Sequence, residues 1–425
     1  MELLSPAGNT EKLTYSYLYG ADAAYIGLPH FSLRARADNI DDNLPQSPDE
    51  LARIKGTKKL YAAVNMYFHN PDLGLLREKI QRIGEYPFDA FILSDVGALA
   101  LFQKYLTNRE YHLSTQANCT NWAAAKAYHS MGFSRIVPGR ELTLQEIAEI
   151  KIHVPELEIE AFAHGAMCMS YSGRCFLSSE TVGRSANKGD CAHNCRWTYN
   201  LALEEESRPG QYIPVEQGQA GTRAYTALLS SKDLCMIDHL QAMKDSGVDS
   251  IKIEGRMKSL YYVALVTRAY RWGIDHLDSP GEVTAANPYR EDLFEVSHRE
   301  YGTGFYFDFQ ARNIGGTEVG YHRSHLFMAS IGSEPPLPVP ADLDAHTWTP
   351  LYPIGIKNSF TPEQNLEILG PKTPAQPLVP GSYRLYTPDG QETTRLTSEM
   401  GGWICFTRAS WTVYLGTGWL IRKEL

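Results

Sequence analysis

Five of the chain's seven cysteines lie in one stretch, spaced Cys168-x6-Cys175-x15-Cys191-x3-Cys195-x39-Cys235. Three chemistries use thiols at this density. Zinc knuckles pair cysteines two to four residues apart, and only Cys191 and Cys195, with His193 between them, come close to that pattern. An iron–sulfur cluster needs four thiolates in space but tolerates irregular spacing, because separate loops can supply the ligands. A single catalytic thiol would leave the neighbouring cysteines without a role. The spacing therefore favours a cluster, with zinc second, and leaves Cys191 and Cys195 equivalent. Cys119 and Cys405 sit in apolar, strand-like contexts and read as small buried hydrophobes.

Clustered thiols of this kind belong to a reducing compartment. The start, Met1-Glu-Leu-Leu-Ser-Pro-Ala-Gly8, has neither a basic region nor an apolar core of the signal-peptide type, and no apolar run is long enough to span a bilayer. A cytoplasmic protein with no membrane partner is expected. The net charge is −9 and neither half of the chain is basic, which argues against a broad phosphate-binding surface but leaves room for a local basic rim.

The elements that would position these groups alternate. Short apolar runs at Glu2–Leu4, Ala23–Ile26, Leu60–Val64, Ala90–Leu93, Tyr111–Leu113, Arg135–Val137, Leu157–Phe162 and Ser250–Ile253 read as strands. Helical spacing occupies Asn9–Tyr19, Pro48–Ile54, Leu73–Ile83, Gly97–Leu106, Asn121–Met131, Leu142–Ile150, Asp233–Met243 and Leu260–Ile274. Eight strand–helix units predict an α/β fold of the (β/α)8 TIM-barrel type over residues 1–280, with a doubly wound open sheet as the alternative. The cysteine-rich insertion, 165–235, leaves the barrel after its seventh strand. Active sites of this fold lie at the C-terminal strand ends. Asn65, Gln116, Asn118, Arg140 and Glu254 fall there, although such residues often serve only as turn formers and helix caps. Among the histidines, only His164 and His193 stand where chemistry is plausible. No G-x-S-x-G elbow, H-E-x-x-H motif or P-loop anchors a common hydrolase or nucleotidase mechanism.

The stretch Glu160-Ala-Phe-Ala-His-Gly-Ala-Met-Cys168-Met-Ser-Tyr-Ser-Gly-Arg-Cys175-Phe-Leu-Ser178 resembles the signature of the collagenase-like peptidases, the thirty-second family of unassigned mechanism. "ELLSPAG" at the start, "FSLRARA" at Phe31–Ala37, "SKDLCMIDHL" at Ser231–Leu240 and "IKIEGRMKS" at Ile251–Ser259 are similar to it as well. Despite the family's name, the resemblance implies an oxygen-independent hydroxylase that carries a 4Fe-4S cluster and takes its hydroxyl group from prephenate. The expected product is 5-hydroxyuridine at the wobble position in the anticodon loop of tRNA. Ribosomal RNA or a quinone precursor is an alternative substrate, and a peptidase or a non-catalytic subunit of a hetero-oligomer an alternative role. The resemblance assigns the cluster to Cys168, Cys175, Cys191 and Cys235, leaving Cys195 outside. Catalytic roles are expected for Glu160, His164, Glu254 and Arg256. Substrate contacts are expected from Arg34, Arg36, Asn65, Gln116, Asn118 and Arg140, the arginines because a guanidinium binds carboxylate bidentately. Tyr25, Tyr67, Phe68 and Tyr171 are candidate stacking platforms for a base.

Beyond residue 280 the texture changes to short apolar runs punctuated by Pro and Gly. A connecting segment over 281–340 and a small all-β accessory barrel over 341–425 are expected, with RNA binding and plain packing as its two possible roles. The electron donor and oligomeric state, homo- or hetero-oligomer, are not readable.

Overall fold

Local side-chain bonds start most of the helices. Asn9, Asp95, Asn121 and Ser259 each accept a hydrogen bond from the backbone N–H three residues on, and Thr143 forms a capping box with Glu146. Ser47 caps the next residue's proline-started helix in the same way. These caps open α1 (Thr10–Leu18), α2 (Pro48–Lys55), α4 (Val96–Tyr105), α5 (Trp122–Ser130), α6 (Leu144–His153) and α9 (Leu260–Asp275); α3 is Asn70–Gly84. The computed structural model describes residues 1–33, 47–197, 199, 202–214, 229–277, 287–311, 321–398, 400–411 and 415–425.

Between the helices run β1 (Glu2–Pro6), β2 (Ala23–Gly27), β3 (Lys59–Val64), β4 (Ala90–Leu93), β5 (Glu110–Leu113), β6 (Arg135–Ile136), β7 (Glu158–Ala166) and, as the eighth barrel strand, β11 (Ser250–Ile253). All are parallel in sequence order, and β11 closes the ring by pairing with both β1 and β7. The open-sheet alternative is thereby excluded. The strands are buried on both faces, as a barrel wrapped by helices requires.

The expected helix at Asp233–Met243 is a correction. Asp233–Cys235 forms strand β10, antiparallel to the end of β7; a 3-10 turn follows at Ile237–His239, and the α-helix is confined to Leu240–Asp245 (α8). Asp233 is held there by Arg299, whose Nε and Nη2 lie 3.0 and 2.7 Å from Oδ1 while the Arg299 N–H bonds Oδ2 at 3.0 Å. The insertion itself carries α7 (Leu177–Val182) and the hairpin β8 (Ala202–Glu204) and β9 (Tyr212–Pro214).

The expected connecting segment also carries structure. α10 (Asp292–Glu295) packs on α9, β12 (Tyr301–Gly302) pairs with β10, and β13 (His325–Ile331) opens the C-terminal sheet. That sheet adds β14 (Tyr352–Ile356), β15 (Leu366–Gly370), β16 (Thr373–Leu378), β17 (Tyr383–Tyr386), β18 (Glu392–Thr393), β19 (Gly402–Phe406) and β20 (Leu420–Glu424) in the order 16-15-20-13-14-19-17-18. It is an antiparallel half-barrel, with no closing ladder among the described residues. Its inner face has a core of its own, yet Phe327, Leu369 and Leu420 pack into the barrel's core. Tyr19 Oη donates to Gly418 O at 2.7 Å, and Arg268 Nη1 donates to Gly370 O at 2.8 Å. No described helix is long and apolar enough to cross a membrane.

Candidate active site

Asn65, Gln116, Arg140, Glu254 and Arg256, from the ends of β3, β5, β6 and β11, all line one cavity at the C-terminal mouth of the barrel. Asn65 is fixed by the Leu33 N–H, 3.1 Å from its Oδ1. The Tyr25 hydroxyl lies between two acceptors, 3.1 Å from Ile253 O and 3.3 Å from Glu254 Oε2. Arg256 is almost fully buried, with its guanidinium against Gly27, where a Cβ would stand 1.9 Å from Nη1. Asn118 does not reach the cavity. Its φ of 55° makes it the left-handed residue that ends the turn Thr115–Ala117, so its place is conformational. Arg34 and Arg36 lie outside the described residues.

The insertion roofs this cavity. Tyr67 ties it down: its Oη lies 2.9 Å from Gln116 O and 2.7 Å from Gly173 O, and its N–H donates to Asn187 O at 2.9 Å. Gly173 is required at this seam, because φ is +74° and a Cβ would stand 2.1 Å from Gln116 O. Seated in this way, Cys168, Cys175, Cys191 and Cys195 line the cavity together with His193 and Arg196. Cys235 does not. It lies on β10 with its Sγ 3.9 Å from the Tyr270 hydroxyl, and burial pushes its thiol up to about 11. Cys195, which the resemblance leaves outside the cluster, shares the cavity with the other three thiols; burial, with the nearby Cys168 and Cys191, raises its pKa.

The thiol wall is electropositive. Arg140 Nη2 lies 3.3 Å from Cys168 Sγ while its Nη1 donates to Ala166 O at 2.9 Å and its guanidinium covers the Phe162 ring. Burial opposes the charge of Arg140, but Cys168 and Glu254 outweigh it and raise the pKa. The His193 N–H points at Cys191 Sγ at 3.4 Å. Among the described residues no three His, Cys, Asp or Glu side chains are already gathered closely enough to enclose a single ion. The donor set nevertheless fits an iron–sulfur cluster in kind and number: four soft thiols line one cavity, with a cation beside Cys168 and a backbone donor beside Cys191.

Glu160 and His164 stay out of the cavity for different reasons. Glu160 points into the barrel below its floor, fully buried, pairing with Lys252 Nζ at 2.8 Å and Arg135 Nη1 at 3.2 Å. His164 is displaced by a bulge in β7. Lys252 pairs with Phe162 but Ile253 pairs with His164, so Ala163 is the extra residue and the in–out alternation reverses beyond it. His164 therefore faces α9, packed among Tyr262, Tyr270 and Tyr301, with Tyr270 Oη 3.3 Å from Nδ1 and Tyr301 Oη 3.4 Å from Nε2. Burial drives its pKa down to about 3.

Lys252 was missed from the sequence. It lines the cavity floor, its ammonium 4.5 Å from the centre of the Tyr25 ring. The signal was there: Lys252, Glu254 and Arg256 alternate, and side chains two apart on a strand share a face. Of the stacking candidates, Tyr25 is this floor, Tyr67 is the tie, Phe68 stacks on Phe31, and Tyr171 stands exposed at the rim. Exposed Met169, Phe176 and Trp197 lie on the same insertion.

The family model for peptidase family U32 matches residues 8–314. Tested against curated sequences, the chain is 34% identical to "tRNA hydroxylation protein P" of Escherichia coli (strain K12), over 92% of this chain and 94% of that one. It is 35% identical to "23S rRNA 5-hydroxycytidine C2501 synthase" of the same organism, over 71% of this chain and 43% of that one. With "Collagenase" of Porphyromonas gingivalis (strain ATCC BAA-308 / W83) it shares 32% identity over 72% of this chain and 73% of that one. A match across most of the barrel and its insertion, and a relative aligned nearly end to end, establish that the chain belongs to peptidase family U32.

Proposed function

We propose that this protein is an RNA hydroxylase that forms 5-hydroxyuridine at the wobble position of tRNA, with prephenate as hydroxyl source. The observation that carries the reading is the convergence of four thiols and the cations Arg140, Lys252 and Arg256 on one cavity, in a chain aligned nearly end to end with a protein named for tRNA hydroxylation. Cys168, Cys175, Cys191 and Cys195 would hold a 4Fe-4S cluster, with Cys195 taking the place first given to Cys235. Such a cluster supplies one-electron chemistry at the roof of the cavity. The protein's own residues do the rest. Arg256 and Lys252, both buried, receive the carboxylates of prephenate, and charge-assisted bonds to buried groups are strong. Arg140, spent on Ala166 and Cys168, positions the thiol wall. Glu254 would pass the proton lost from C5 of the base to the co-substrate carbon that has given up its hydroxyl, so that the C–H and C–O bonds broken are matched by the C–O and C–H bonds formed. A wobble uridine lies in a single-stranded loop and can be turned out of its stack into such a cavity, with Tyr171 at the rim as a platform. This reading puts the protein in the cytoplasm, with an electron donor as a further partner.

Nucleoside mass spectrometry of tRNA and rRNA from cells with and without the protein tests it. Loss of 5-hydroxyuridine and its derivatives from tRNA is expected. Loss confined to an rRNA nucleoside would move the substrate to the ribosome, and two unchanged profiles would remove the assignment.

A further inference from the structure

A second, polar cleft lies between the barrel and the C-terminal sheet. Its walls come from the start of α1, the turn Met257–Ser259 that leads into α9, the approach to β13, and the end of β14. Lys12, Lys258, Arg323 and Lys357 bring cations to it from these four elements, against the single acid Glu11. In a chain of net charge −9 this is a local reversal of sign. The cations are held on firm supports. Lys258 Nζ donates to Ser297 O at 2.8 Å, the Lys357 N–H donates to Met328 O at 2.8 Å, and Asn358 Nδ2 donates to Phe327 O at 2.7 Å. Arg323 and Lys357 are exposed, and neither makes an ion pair among the described residues. The cleft opens on the same end of the barrel as the active-site cavity, because its Asn9–Lys12 wall follows β1 and its Met257–Ser259 wall follows β11, both at the C-terminal strand ends.

We infer that this cleft binds the ribose–phosphate backbone of the RNA whose base enters the barrel mouth. A small anion would need its cations on one spot; here they come from separate elements along a cleft, which suits a chain of phosphates. Backbone contacts of this kind fix register without reading sequence. The inference rests on the RNA-hydroxylase reading, and it makes the junction of the two units, rather than the sheet alone, the RNA-binding surface.

The test uses full-length protein purified without oxygen and an unmodified tRNA transcript as probe, with affinity measured across a salt series. The double variant Arg323→Gln/Lys357→Gln is expected to bind on the order of tenfold more weakly at low salt, with the salt slope reduced by roughly 1.4 to 1.8, just under one per lost contact. Iron content and melting temperature should stay at wild-type values. Glu11→Lys, which adds a cation to the same cleft, should move affinity and slope the other way. If neither variant shifts them, the inference is overturned; it is overturned equally if the variants weaken binding to phosphatidylserine vesicles while leaving tRNA binding intact. Nucleoside analysis decides the hydroxylase reading separately. Wild-type protein that binds tRNA through these residues without altering its nucleosides would keep the cleft and lose the reaction.

Discussion

Glu160 and Lys252 form a 2.8 Å ion pair inside the barrel, with Glu160 completely buried and Lys252 rising from it into the cavity floor. Burial alone would raise the Glu160 pKa, but Lys252 and Arg135 outweigh it and hold the carboxyl below its usual range. Removing one partner of such a pair strands the other. Glu160→Gln is expected to destabilise the protein by about 3–5 kcal/mol, read by chemical denaturation.

Position relative to the cavity separates the cysteines. Protein purified without oxygen should be brown and hold about four irons per chain. Cys168→Ala, Cys175→Ala, Cys191→Ala and Cys195→Ala should each lose the visible absorbance, while Cys235→Ala keeps it. Stoichiometric zinc with a colourless protein would defeat the cluster, and loss of iron from Cys235→Ala with retention in Cys195→Ala would return the fourth ligand to β10.

Gly27 leaves room for the Arg256 guanidinium. In Gly27→Ala the new Cβ would meet Arg256 Nη1 at 1.9 Å and Ser32 Oγ at 2.5 Å, both ends of side chains that can turn away, so the fold should survive while the anion site is displaced. A charged hydrogen bond is worth about 1.5–3 kcal/mol, so the KM for prephenate should rise roughly ten- to hundredfold. An unchanged KM would take Arg256 out of co-substrate binding.

Burial keeps His164 neutral in the fold, with a pKa of about 3 against the usual 6.5 of an unfolded chain. Between these values the unfolded state binds the extra proton, so stability falls as pH is lowered from about 6.5 toward 3. His164→Gln removes that titration. Denaturation midpoints across this range should fall less steeply for the variant than for wild type, and parallel profiles would show that His164 does not carry the acid sensitivity.

Arg268 joins the two units. It takes Asp292 with Nε and Nη2 at 2.7 and 3.0 Å and gives Nη1 to the carbonyls of Gly370 and Thr373. Calorimetry of the full chain should show one cooperative transition, and Arg268→Ala should lower it by about 3–5 kcal/mol as a whole. Two separate transitions would show that the units fold independently. A chain ending near residue 278 would uncover the barrel residues that Phe327, Leu369 and Leu420 cover, so point substitutions probe RNA binding more cleanly than truncation.

The barrel was legible in the sequence because its strands are short, apolar and separated by capped helices, and period and caps are local properties. The mouth residues Asn65, Gln116, Arg140, Glu254 and Arg256 followed from the rule that parallel strands present their C-terminal ends together. Three things were decided only in three dimensions. The extra residue Ala163 reverses the parity of β7, which sends His164 to the helices, and no local pattern announces a bulge that depends on the register with β11. The choice of Cys195 over Cys235 as a cavity thiol depends on how Tyr67 and Gly173 seat the insertion and on Asp233–Cys235 pairing with β7, both long-range contacts. The basic cleft exists because the C-terminal sheet docks beside α9, bringing Arg323 and Lys357 to Lys12 and Lys258 from 65 to 345 positions away in sequence. Spacing along the chain determines which residues can share an element; only packing between distant elements determines which of them share a site.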